Sequence, residues 1–174
     1  MIVLYIILAI IAIPFVLAIF ASSQYTISRS VVIAKPKAEV FDYVKHIKNQ
    51  DHFNKWVMAD PGMQKTFTGT DGNVGFIYAW DSANKQVGKG AQEITKITDD
   101  RIDTEVRFEK PFEGVAWPAF VVEESSDNET HVTWLMKGDK NYMAKVMHIV
   151  LRLEKVLADD IQTSLNTLKT ILEK

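Results

Sequence analysis

Arg101-Ile102-Asp103-Thr104-Glu105-Val106-Arg107-Phe108-Glu109 alternates charged side chains with apolar or neutral ones over nine residues. A period of two gives a strand one wet face and one covered face. The same pattern recurs on both sides. Phe76, Tyr78 and Trp80 share one face of residues 75–81, and Val132, Trp134 and Met136 share one face of residues 129–137. Residues 25–33, 64–68, 86–97 and 115–124 read as further strands, the last interrupted near Pro118. Asp71-Gly72-Asn73, Ser82-Ala83-Asn84 and Asp127-Asn128 separate neighbouring strands at hairpin spacing, which predicts an antiparallel meander.

Helices bracket these strands. Residues 35–47 open with Pro36, whose missing donor is harmless at a helix start, and carry Val40, Phe41, Val44 and Ile47 at spacings of three and four. A short helical turn over residues 50–56 follows. Met143, Val146, Met147, Val150, Leu153, Leu157, Ile161, Leu165, Leu168 and Leu172 then form the stripe of one long amphipathic helix. The predicted fold class is α+β: about seven antiparallel strands curved around a long carboxyl-terminal helix.

Ahead of the first strand, residues 2–21 carry no charge and nothing more polar than Tyr5. Twenty residues at about 1.5 Å each just cross a hydrocarbon layer of roughly 30 Å, so residues 1–22 are expected to be a single-pass transmembrane anchor. A cleaved signal peptide fits less well, because no Lys or Arg precedes the run. A core helix would show a polar stripe. Arg29, Lys35 and Lys37 follow the run, which favours the cytoplasmic side for the domain. Ser22 to Gln24 is a short hinge, and residues 25–174 make one domain of ordinary size. The net charge is −2 with the signs interleaved, which excludes an electrostatic footprint for nucleic acid. The chain has no cysteine, which fits either redox compartment.

The element order, with SRSVVIAKPKAEVF (28–41), DPGM (60–63), VGKGAQEIT (87–95), KPF (110–112), HVTWLMKG (131–138) and SLNTLK (164–169), resembles the helix-grip fold of the START/Bet v 1-like (SRPBCC) superfamily. Within it the chain looks like the polyketide cyclase/dehydrase and lipid-transport-like group, whose members often bear one amino-terminal hydrophobic helix. Val57 and Met58 depart from a segment that is often richer in Trp and Pro.

The resemblance implies a hydrophobic cavity between sheet and terminal helix, with a lipid or other apolar small molecule as partner. Its expected lining is Trp56, Phe76, Tyr78, Trp80, Gln92, Phe108, Phe120, Trp134, Met136, Leu153 and Leu157. In the long strand, Gly88, Gly90, Gln92 and Ile94 have the inward parity, and the glycines are expected to open volume beside the aromatic rows. A filled aromatic core is the competing reading.

Signals for chemistry are sparse. His46, His52, His131 and His148 are scattered, so neither a metal nor another cofactor is expected. Neither a phosphate loop nor a nucleophile elbow is present in the sequence. His52 and Asp60 flank Trp56 and are the candidate acid and base. Three functions follow as expectations: a membrane-anchored binder of an apolar molecule, a cyclase/dehydratase-like enzyme using the same cavity, and a co-chaperone-like interaction module using the sheet surface.

Overall fold

The computed structural model describes residues 2–174, leaving out the side chains of residues 4, 7 and 9; Met1, the first residue of the expected anchor, lies outside the described residues. The order is α1 (Ile2–Phe20), β1 (Gln24–Ile33), α2 (Lys37–Lys45), a 3-10 turn (Ile47–Asn49), α3 (Gln50–Phe53), α4 (Lys55–Met58), β2 (Gln64–Thr68), β3 (Ile77–Asp81), β4 (Lys89–Ile97), β5 (Arg101–Lys110), β6 (Gly114–Ser126), β7 (Glu129–Asp139), α5 (Tyr142–Leu151) and α6 (Leu153–Leu172). All seven strands join one antiparallel sheet in the order β1-β7-β6-β5-β4-β3-β2. It is a meander in which the first strand closes onto the last.

The alternation in β5 does what its period demands. Ile102, Thr104 and Val106 are buried, while Arg107 pairs with Glu93 and Glu105 across the outer face at 2.8 and 2.6 Å. Register shifts in the β4–β5 ladder between Lys89 and Gly90 and between Ile94 and Lys96 bend the sheet, as bulges do. On the concave face α6 buries Ala158, Ile161, Ser164, Leu165, Leu168 and Leu172, and α2 buries Val40 and Val44. Each fully buried Leu, Ile or Val contributes about 1.5–3 kcal/mol relative to exposure.

Several sequence expectations are corrected. The terminal helix is two helices, because Arg152 adopts a left-handed conformation (φ 51°, ψ 43°) between α5 and α6. The sixth strand is continuous through Pro118. That residue still pairs with Met136 on β7, and the ladder to β5 lapses instead between the Asp103–Ala119 and Val106–Ala116 pairs. A proline has no N–H to offer one neighbour, so only that side loses its bonds. Gly88 lies outside β4 in a tight turn at φ +68°, where an added Cβ would sit 2.0 Å from the Lys110 carbonyl oxygen.

The anchor is the largest correction. Among the described residues no helix is long and apolar enough to cross a membrane. That overturns the transmembrane helix expected at residues 1–22 and the single-pass membrane localisation, and leaves the membrane partnering built on them without support. The helix α1 covers 19 residues, Ile2–Phe20. Protein occupies the end of this helix: Ala18 is buried, and the Tyr142 hydroxyl of α5 donates to the Phe15 carbonyl at 2.9 Å.

Candidate functional site

The concave face is solid at one end and hollow at the other. The solid part is an aromatic knot: Phe120 and Trp134 lie 4.7 Å apart between ring centroids, and Phe53 meets both edge-on. Beside it a cavity of about 240 Å³ opens under β3, β4 and β5, closed on the helix side by α3, α4 and Leu157 of α6. That volume falls below the roughly 300–1,000 Å³ of drug-sized pockets.

Eight of the residues expected from the sequence line this space: Trp56, Tyr78, Trp80, Gln92, Phe108, Trp134, Met136 and Leu157. Three do not. Phe76 stacks on Phe67 (centroids 6.3 Å) outside it, Phe120 is absorbed into the knot, and Leu153 is the first residue of α6, displaced by the Arg152 break. Gly90 faces inward but opens no room, since an added Cβ would meet the Trp80 ring at 2.7 Å. The space it leaves belongs to that indole.

The helical wall adds residues that sequence reasoning passed over. Ile47, Gln50, Asn54, Val57 and Met63 all line the cavity. Gln50 and Asn54 sit four apart, on one side of the α3 to α4 turn. A polar pair at helical spacing reads as surface, so the only signal was its company with Phe53.

Polar groups in the lining form two ordered chains. On the helix side the Trp56 backbone N–H donates to Asn54 Oδ1 at 3.0 Å, and Asn54 Nδ2 donates to Gln50 Oε1 at 2.8 Å. On the sheet side the Thr104 hydroxyl donates to the Pro118 carbonyl at 3.1 Å, and Gln92 Nε2 donates to Thr104 Oγ1 at 3.1 Å. Trp134 Nε1 is buried without a hydrogen-bond partner among the described residues, hemmed in by Phe53, Trp56 and Phe120. The Trp56 indole N–H donates to Asp160 Oδ2 at 3.0 Å, and Lys55 pairs with the same carboxylate, so α4 is latched to α6.

Tyr78 donates its hydroxyl proton to Asp51 Oδ1 at 2.7 Å, and Lys65 pairs with Asp51 Oδ2 at 2.8 Å. Burial, then the Asp51 hydrogen bond and charge, drive the phenol well above the ordinary tyrosine range. It is therefore a neutral hydroxyl at any physiological pH.

His52 and Asp60 are not assembled as an acid–base pair. His52 is exposed on α3, whereas Asp60 accepts from the Gly62 N–H at 3.2 Å and from the Ser82 hydroxyl at 2.5 Å, bracing the turn after α4. Among the described residues no three His, Asp or Glu side chains gather to hold a metal ion.

No family model matches the chain, and no characterised protein matches it by sequence. Solved structures do. The di-domain ARO/CYC StfQ from the steffimycin biosynthetic pathway superposes with a TM-score of 0.66 at 9% identity over 86% of this chain; the chain spans about half of that protein, 51%. Ara h 8.0201 gives a TM-score of 0.57 at 11% identity, covering 86% of this chain and 97% of the other. A protein from Chromobacterium violaceum gives 0.58 at 15% identity, covering 86% and 97%. At such identities the likeness establishes the fold: the chain is an α+β protein of the helix-grip type.

Proposed function

We propose that residues 25–174 form a binding domain for a compact apolar small molecule, held in the cavity between the sheet and helices α3, α4 and α6. The observation that carries this reading is the cavity itself, with Trp56, Trp80, Phe108, Met136 and Leu157 in its wall. Apolar surface enclosed in this way is the usual setting for a small ligand. At about 240 Å³ the space suits a one- or two-ring compound better than an extended lipid chain. StfQ is described as a di-domain ARO/CYC, and its fold is the one shared here, which supports ring compounds as the class to test. The cyclase-like alternative has no acid–base pair in its favour, since His52 and Asp60 serve separate places.

The test is titration of the purified chain with tetralin, followed by fluorescence of Trp56, Trp80 and Trp134. Saturable binding is expected in the wild type, weakened at least about tenfold in Val106→Phe, which fills the cavity from β5. Absent saturation, or equal affinity in the filled variant, would remove the proposal.

A further inference from the structure

Gln50 is 3% exposed and Gln92 is 8% exposed, and both line the cavity. Each carboxamide is oriented by its neighbours. The Thr104 hydroxyl has one proton, which goes to the Pro118 carbonyl, so Thr104 Oγ1 must accept. Gln92 therefore presents Nε2 to Thr104, leaving its Oε1 without a protein donor among the described residues. The helix-side chain runs the opposite way. The Trp56 N–H fixes Asn54 with Oδ1 toward it, Asn54 Nδ2 donates to Gln50 Oε1, and the Gln50 amide N–H groups are left without a protein acceptor among the described residues. Neither Gln92 Oε1 nor Gln50 Nε2 is sealed off from solvent-sized space, so each can bond a molecule held in the cavity.

Resting on the binding reading above, we infer that the cavity selects a ring compound bearing both a hydroxyl and a carbonyl, the hydroxyl donating to Gln92 Oε1 and the carbonyl accepting from Gln50 Nε2. Gln50 presents donors from the helical side and Gln92 Oε1 an acceptor from the sheet side, where the unpaired Trp134 Nε1–H and the second Gln92 N–H also face the cavity, so a hydroxyketone uses both kinds of group while a hydrocarbon, a simple ketone or a carboxylate does not. A hydrocarbon leaves both amides unpaired. A carboxylate brings an uncompensated charge into an apolar cavity.

The experiment is a titration of the full chain with four compounds on one skeleton: tetralin, 1-tetralone, 5,6,7,8-tetrahydro-2-naphthol and 6-hydroxy-1-tetralone. Wild-type affinity should rise several-fold with each polar group, up to about tenfold for a well-made hydrogen bond. Gln92→Met should erase the gain from the hydroxyl and keep the gain from the ketone, and Gln50→Met should do the reverse. Tetralin affinity reports that each variant is folded. Should a variant misfold, the Gln50 and Gln92 side-chain amide resonances of the wild type decide: the ketone should shift Gln50, the phenol should shift Gln92, and tetralin should shift neither in that selective way. Four affinities within about twofold of one another overturn the inference while leaving the cavity reading intact, the result expected if the amides hold water instead. If no compound binds, both fall.

Discussion

The Trp80 indole lies against Gly90 of the neighbouring strand so closely that an added Cβ at Gly90 would stand 2.7 Å from ring atom Cζ2 and 2.5 Å from the Arg107 carbonyl oxygen. The backbone oxygen cannot move aside without breaking the β4–β5 ladder. Gly90→Ala should therefore destabilise the fold by about 1–3 kcal/mol, as overpacking does. Urea unfolding followed by circular dichroism measures this, and an unchanged midpoint would show that the indole yields freely.

Tyr78 gives the alkaline limb of stability a specific source. Its folded pKa lies above the unfolded value of 10.0, so the neutral phenol is the form the fold favours. The contribution is complete below about pH 10 and is lost as pH climbs beyond it, because the unfolded chain releases that proton first. Tyr78→Phe should cost about 1 kcal/mol near pH 8 through the lost bond to Asp51. It should then lose less stability than the wild type between about pH 9 and pH 11. Parallel losses in the two proteins would argue against this assignment.

His148 works at the acidic side. Burial first, and Lys140 second, hold the imidazole below its ordinary 6.5, while Glu154 pulls it the other way. A depressed folded pKa means that stability is present above about pH 6.5 and falls as pH drops through the folded value, since the unfolded chain takes up the proton first. His148→Gln should flatten the stability change between about pH 7.5 and pH 5.5, a window above the range in which Glu154 titrates. Thermal unfolding at the two pH values is the measurement. The ring also lies 5.1 Å from Tyr25, so a small uniform loss is expected as well.

Arg152 joins α5 to α6 in the left-handed region with φ 51°, and its side chain makes no hydrogen bond among the described residues. Glycine adopts that conformation without a Cβ penalty. Arg152→Gly should thus be neutral to stabilising, by up to about 1 kcal/mol, and a marked drop in melting temperature would mean that the guanidinium has a structural partner.

The sequence alone was enough for the strands and the hairpins that join neighbours, but not for the pairing of β1 with β7. Polar and apolar residues alternate in β5 and β7 because one face of the sheet meets water and the other meets the core, and a period of two leaves no helical reading. The carboxyl-terminal stripe was equally legible, but its break at Arg152 was not. No glycine or proline marks that position, and a left-handed arginine is tolerated only because packing on either side overrides its preference.

Volume was decided by tertiary structure. Parity correctly turned Trp80, Gly90, Gln92 and Trp134 inward, yet parity gives direction and not distance. Only the folded arrangement shows that Trp80 fills the space over Gly90, that Phe120 and Trp134 close one end, and that Gln50 arrives from a helix to face the remaining hollow. The same holds at the amino terminus. Composition made residues 2–21 look like a span, whereas helix length and the contact with Tyr142 are properties of the folded chain. Local chemistry determines which face of an element is apolar, and what that face meets is set by residues far away in the chain.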